Sequence, residues 1–449
     1  MGVDAAEMTF DRSRHDAVGA ESSGLFVLAL LSLLAGAAAG AVGAAFRLAL
    51  SWAETLRGNV TIWAHDRDAV GFLTIVAVCA AATALAAWLV RRFSPHASGS
   101  GIPHVEAVLK GELPPASFRL IPVKFFGGLL AIGSGLALGR EGPSVQMGAS
   151  LAHLVGTIFR RGWPECRALF AAGAGAGLAT AFNAPIAGAV FVLEEIVRKF
   201  ETRIAIAALG ASATAIAVAR MLLGEAPEFR VEPLAYATPA ACALHAGGGI
   251  VAGCAAVAYN RAIVWTLAAT DPLRRWPVQL RAALIGGGVG MLAWFTPRLV
   301  GGGEELTQWT LDGRLALSAL LQAFLLRFAL GAVSYSARTP GGLFAPMLVL
   351  GSQLGMLYGG VCRQIIPGLD APPVAFAVVG MAAFFTGVVR APVTGIVLIT
   401  EMTGSFTMLL PMLGACFVAM LIPTLIGNPP IYDSLREHAL PGEHSSDGR

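Results

Sequence analysis

Charge is what this chain lacks most. Only 13% of its 449 residues are Asp, Glu, Lys or Arg, against about 25% in a typical soluble protein, and that deficit excludes an ordinary water-soluble enzyme. Aromatic residues are also few, at 8%. The six cysteines (Cys79, Cys166, Cys242, Cys254, Cys362, Cys416) stand singly, with no C-x-x-C pair and no His at ligand spacing, so they read as small apolar residues rather than metal ligands. The formal charge of +3 and the absence of a basic run exclude a nucleic-acid partner. No apolar core or cleavage pattern marks residues 1–24 as a signal peptide. Met1-Gly2 opens like a myristoylation signal but lacks Ser or Thr at position 6, which is Ala6.

What is present is apolar and small. With 56% hydrophobic residues and a mean hydropathy of +0.69, the apolar surface exceeds what a water-facing globule buries, and its runs reach the roughly 20 residues that span a bilayer. Glycine fills 54 of 449 positions, well above the about 7% of an average protein, which suits close helix packing and broken helices. The fold class is therefore an all-α polytopic membrane protein. The window 166–197 is too long for one span and contains Pro185, whereas 144–159 is too short and follows Pro143; both predict broken or partial helices.

Two halves are expected. Gly173, Ala184-Pro185 and Gly188 recur as Gly380, Ala391-Pro392 and Gly395, each 207 residues on, while Pro143 and Gly148 recur as Pro346 and Gly351, each 203 on. The boundaries that follow are a solvated tail over 1–24, a first membrane repeat over 25–224, a polar connector over 225–239, a second repeat over 240–432 and a tail over 433–449. Basic clusters at Arg91-Arg92, Arg160-Arg161, Arg198-Lys199 with Arg203, and Arg274-Arg275 place both tails in the cytoplasm by the positive-inside rule.

Three glycine-rich elements carry the chemistry: Ser98-Gly99-Ser100-Gly101-Ile102-Pro103, Gly139-Arg140-Glu141-Gly142-Pro143 and Gly341-Gly342-Leu343-Phe344-Ala345-Pro346. Each ends in a proline suited to a first helical turn, so each reads as a helix start. A helix start offers unpaired N–H groups and the positive dipole end, a site for an anion that needs no full positive charge in the membrane. Taken singly each is a plain helix break; converging in a repeat, they favour a dehydrated halide.

These three motifs in order, followed by Tyr432, resemble the signature of the CLC family of chloride channels and chloride/proton exchangers, in its bacterial form. The resemblance runs from about residue 25 to Tyr432. It implies two inverted-topology repeats of broken and tilted helices, a homodimer whose subunits each hold a pathway, an inner-membrane location and no cofactor. It implies chloride held by the hydroxyls of Ser100 and Tyr432 and the backbone N–H groups of Leu343, Phe344 and Ala345, with an outer site at the backbone of Arg140, Glu141 and Gly142. Ser100 points to chloride over nitrate or fluoride, and a hydroxyl that caps the helix at Ile102 is compatible with anion contact. With 17 residues after Tyr432, no regulatory domains are expected.

Glu141 is implied to be the external gate and proton acceptor. A carboxylate there is repelled by a bound anion, is drawn to the helix dipole when the site empties, and leaves on protonation; the plainer reading pairs it with Arg140. Glu195 matches the family's internal proton-transfer glutamate, which favours an exchanger; the plainer reading is an interfacial carboxylate paired with Arg198 and Lys199, which leaves a passive chloride channel open. Lys124, Arg327, Arg390 and Glu401 are expected in structural pairs, with Lys124 or Arg140 raising the local potential. His104-x-Glu106 has no third metal ligand nearby. An intramembrane hydrolase using Ser100 would need a base, and none of the eight histidines stands in a second patterned element. The sequence departs from the family at Arg338, where many members carry a flexible glycine.

Overall fold

A computed structural model describes the backbone of residues 3–270 and 275–439 and the side chains of 24–270 and 275–439. Arg274, the side chains of the N-terminal tail and the chain beyond Ala439 lie outside the described residues. The first half comprises α1 (Val3–His65), α2 (Asp68–Phe93), α3 (Ile102–Leu109), α4 (Leu120–Gly133), α5 (Glu141–Ile158), α6 (Trp163–Phe182), α7 (Pro185–Phe191) and α8 (Thr202–Leu223). The second comprises α9 (Pro239–Ala269), α10 (Val278–Phe295), α11 (Glu304–Leu311), α12 (Leu317–Tyr335), α13 (Phe344–Ile365), α14 (Pro373–Val389), α15 (Pro392–Thr403) and α16 (Leu409–Leu425), and α17 (Ile431–Ala439) follows. The backbone of the segment read as an N-terminal tail continues α1.

Among the described residues eight helices are long and apolar enough to cross a bilayer. Large apolar side chains such as Trp52, Leu73, Phe295 and Phe417 project from the surface, as lipid-facing residues do and water-facing ones do not. The chain is a multi-pass membrane protein.

The window 166–197 breaks where proline predicts. Asn183 turns left-handed (φ 55°) and α7 begins at Pro185, followed by a π turn over Val192–Ile196. The chain over 373–403 breaks in the same way, with Arg390 at φ 75° and α15 starting at Pro392. The short window opens slightly earlier than its apolar run, at Glu141, with Pro143 in the first turn.

The repeat is visible in its contacts. Where α5 crosses α6, a Cβ at Gly148 or Gly173 would overlap the carbonyl oxygen of the other; where α13 crosses α14, a Cβ at Gly351 would lie 2.6 Å from Gly380 O and one at Gly380 2.5 Å from Gly351 O. Backbones this close tolerate no side chain, so Gly173→Val is expected to leave no folded protein by size-exclusion chromatography of the detergent-extracted membrane, while Gly414→Val, on open surface, keeps its peak.

A reciprocal pair shows the relation between the halves. The Glu194 carboxylate accepts N–H bonds from Val393 (3.0 Å) and Thr394 (2.6 Å) at the start of α15. The Glu401 carboxylate accepts them from Ile186 (3.1 Å) and Ala187 (2.8 Å) at the start of α7. Each half thus closes the other's orphan helix start with the equivalent residue 207 positions away, the isologous pattern of a two-fold relation. Lys124 and Arg327 are a further equivalent pair. Lys124 Nζ donates to Ala97 O (3.1 Å) and Gly99 O (2.8 Å) ahead of α3, and Arg327 donates to Leu299 O (3.2 Å), Gly301 O (2.7 Å) and Gly302 O (2.9 Å) ahead of α11. Both cations are fully buried and serve as clamps on carbonyls.

Candidate functional site

Backbone hydrogen bonds sew the three glycine motifs together. Gly99 N donates to Thr339 O (3.0 Å) and Gly341 N to Gly99 O (3.1 Å), while Gly139 and Gly342 exchange both bonds (2.8 and 2.7 Å). A Cβ on Gly142 would meet Ser100 O and Oγ at 2.5 Å, and one on Gly341 would meet Leu138 at 2.7 Å. Glycine here lets three loops converge, and α3, α5 and α13 start from that junction. Gly101 precedes α3 in the left-handed region (φ 87°), which costs glycine little.

The first-turn amides of α13, from Leu343 to Ala345, have no intrahelical acceptor. One is taken: Ala345 N donates to Glu141 Oε2 at 3.3 Å. Glu141 is fully buried, and its Oε1 has no partner. Its carboxylate is therefore drawn onto the positive end of α13 rather than onto Arg140, which corrects the plainer reading of a Glu141–Arg140 pair.

Ser100 Oγ and Tyr432 Oη are both buried without a hydrogen-bond partner, a costly arrangement in an apolar interior unless a ligand supplies one. Tyr432 lies in the first turn of α17, which packs on α3, the helix that follows Ser100. The junction thus gathers Ser100, Leu343, Phe344, Ala345, Glu141 and Gly142, with Tyr432 carried on the neighbouring helix. Its hydroxyls and amides are donors, suited to an anion, and its carboxylate competes for the same amides.

Arg140 is engaged elsewhere. Its guanidinium pairs with Glu228, with Glu304 (3.0 Å) and with Ala181 O (3.1 Å), and Glu228 also pairs with Arg47 at 2.7 Å. These charges line a cavity of about 270 Å³ beside Leu138 and Arg140. The connector that supplies Glu228 is a strap: Ala226 O accepts from Asn183, Phe229 N donates to Met402 O, and Arg230 exchanges two bonds with Gln308. Phe229 is buried with it. A second cavity, of about 400 Å³, opens beside Ser98, Gly99 and Gly101 and is lined by His104, Tyr335, Arg338 and Arg436.

Arg338 keeps the left-handed backbone (φ 55°) that a glycine would take, and its carbonyl accepts from Ser98 Oγ at 3.1 Å, so the loop before the third motif is tied to the first. Glu195 sits in the π turn, 2% exposed. Its carboxylate pairs with Arg198 (3.0 Å), which also pairs with Asp433 (2.8 Å) beside Tyr432. Glu194 is not a partner of the bases, since it caps α15. Arg390 clamps Gly387 O (2.6 Å) and Asn428 O (2.7 Å). His104 stacks at a tilt on His96, and Glu106 lies 3.6 Å from Arg436.

Residues 82–424 match the profile of the voltage gated chloride channel family. The chain belongs to the voltage gated chloride channel (CLC) family. This CLC chain is 36% identical over 420 residues to the protein named H(+)/Cl(-) exchange transporter ClcA of Salmonella arizonae, covering 92% of this chain and 88% of that protein. The same figures hold for its namesake in Salmonella newport. Among solved structures, a slow cyanobacterial Cl-/H+ antiporter is similar with a TM-score of 0.88 and 31% identity over 92% of this chain and 98% of the other. A CLC-type fluoride/proton antiporter is similar at 0.75 and 25% over 91% and 97%. The two-fold arrangement of broken helices is thus the CLC fold of two inverted-topology repeats.

Proposed function

We propose that this CLC protein is a secondary active antiporter that exchanges chloride for protons across a bacterial-type inner membrane. The observation that carries the reading is the buried Glu141 carboxylate on the first-turn amide of α13, next to two buried hydroxyls without partners. Chloride and a carboxylate compete for the same donors. Protonation removes the carboxylate's charge, weakens its hold on the helix end and vacates the place for an anion. Glu141 is then gate and proton acceptor, and Glu195 the carboxylate that passes the proton at the other end. Ser100, Tyr432, Leu343, Phe344 and Ala345 hold the central chloride, and the backbone of Arg140 and Gly142 an outer one. The named exchangers and antiporters among its relatives support the exchange, and Ser100 supports chloride as the anion. No cofactor enters the proposed cycle, whose only bond changes are proton transfers to and from the two carboxylates.

The basic clusters support cytoplasmic termini, and the family resemblance supports a homodimer in which each subunit carries its own pathway. A passive chloride channel of the same fold is the second reading, favoured by the Glu195–Arg198 pair, the contact expected of a structural carboxylate. Liposomes containing the purified protein, with a chloride gradient, no proton gradient and the voltage clamped at zero, separate the two. Chloride flow is expected to drive protons against their gradient, and Glu195→Gln is expected to stop the protons while chloride still moves. Chloride flow without proton movement in the unaltered protein overturns exchange.

A further inference from the structure

We propose that Arg198 and Asp433 are positioning residues that link proton occupancy of Glu195 to the seat of Tyr432 at the anion site; this rests on the exchange reading. The Arg198 guanidinium is forked between two elements. Its Nη2 donates to Glu195 Oε1 (3.0 Å) and its Nε to Glu195 O (3.2 Å), while Nη1 donates to Asp433 Oδ2 (2.8 Å). The backbone of Arg198 lies at φ 55°, a conformation unfavourable for a residue with a side chain. The fork therefore holds that turn as well as being held by it.

On the far side, Asp433 follows Tyr432 directly in the first turn of α17. That helix has nine residues, buries Ile431, Tyr432 and Leu435, and packs on α3, α9 and α14. Its polar anchors to other elements are charges: Asp433 to Arg198, and Arg436 to Glu106 (3.6 Å) and Glu112 (3.5 Å), with Arg436 also 3.4 Å from Asp433. Four carboxylates, Glu106, Glu112, Glu195 and Asp433, thus share two guanidiniums. Glu194, though adjacent, is committed to the start of α15.

Such a shared cation responds to its partners' charge. While Glu195 is ionised, Arg198 divides its attraction between Glu195 and Asp433. When Glu195 takes a proton, that division ends and the remaining attraction falls on Asp433, drawing the first turn of α17, and with it Tyr432, toward the π turn. The proton site and the anion site are then coupled through one arginine without touching each other. Coupling of this kind requires a differential interaction with the two protonation states, and the fork supplies one.

The test measures chloride moved per proton in liposomes, with each variant's fold checked by size-exclusion chromatography. Asp433→Asn is expected to raise the chloride-to-proton ratio about fivefold, the scale of one interaction between neighbouring charged residues, while Asp433→Glu restores the original ratio. Arg198→Lys keeps the charge but loses the fork, is expected to slip in the same direction, and stands in should Asp433→Asn not fold. In a Glu195→Gln background, where Arg198 is left to Asp433 alone, Asp433→Asn is expected to change chloride turnover more than it does in the unaltered protein. An equal change of chloride turnover in both backgrounds means a merely structural role and overturns the linkage. A coupled unaltered protein whose ratio survives both Asp433→Asn and Arg198→Lys overturns the linkage alone, whereas an unaltered protein that moves no protons overturns the exchange reading and the linkage with it.

Discussion

Glu141→Gln is expected to abolish proton transport and to leave a chloride flux that no longer depends on pH. Glutamine matches the shape of a protonated carboxyl but cannot ionise, so it has no charge to spend on the amide of Ala345 or on the dipole of α13. On the proposed gate, which opens when Glu141 binds a proton, chloride flux in the unaltered protein is expected to fall as pH rises through the titration of that carboxyl. Above its midpoint the fall approaches about tenfold per pH unit, since one proton is bound per opening. The sign follows from competition: ionised Glu141 and chloride want the same donors, so alkali favours the carboxylate and acid the anion. Chloride efflux from liposomes at a series of pH values checks this. A Glu141→Gln variant that keeps the slope of the unaltered protein, or still moves protons, removes Glu141 from the gate.

The second large effect is on stability. Glu228 is 10% exposed and neutralises two arginines, Arg47 and Arg140. Its replacement by Ala leaves Arg47 without its ion-pair partner and Arg140 with Glu304 alone, two like charges close together in a poorly solvated place. Removing one partner of a buried ion pair costs about 3–5 kcal/mol, because the other charge remains buried and uncompensated. Glu228→Ala is therefore expected to lower the melting temperature in detergent markedly, Glu228→Gln less, since Gln keeps one hydrogen-bond acceptor toward the guanidiniums. A melting curve for Glu228→Ala that overlays the original would show that the strap's other bonds, through Ala226, Phe229 and Arg230, carry the connector unaided.

What the sequence discloses well is whatever backbone chemistry alone decides. Prolines and glycines mark the helix starts at Ile102, Glu141 and Phe344 because they act through φ, missing N–H groups and close approach, all local properties. The repeat is legible for the same reason, since Gly148 with Gly173 and Gly351 with Gly380 are demanded by backbone contact. The connector's second role, as a strap, is hidden because it is tertiary. A polar, proline-rich stretch looks like a linker, and nothing local shows that Glu228 meets Arg140 from 88 positions away. The polar helix α11, whose first turn carries Glu304 and Glu305, forms no apolar window and escapes for that reason. Lys124 and Arg327 were open to detection, since the 203-residue offset found for Pro143 and Pro346 also superimposes these two cations, a signal in the repeat rather than in either residue. The acceptors they clamp are main-chain carbonyls, which a sequence does not label.

The reciprocal capping by Glu194 and Glu401 bears on how such a molecule could be cut or built. Half a chain taken alone would carry an acidic side chain with nothing to neutralise it and a re-entrant helix with its amides open inside lipid. Only a second copy threaded through the bilayer in the opposite sense supplies both at once. The contact that welds the fused halves is equally available to two separate polypeptides of opposite orientation, so a gene for one half is self-sufficient only when its product inserts both ways up.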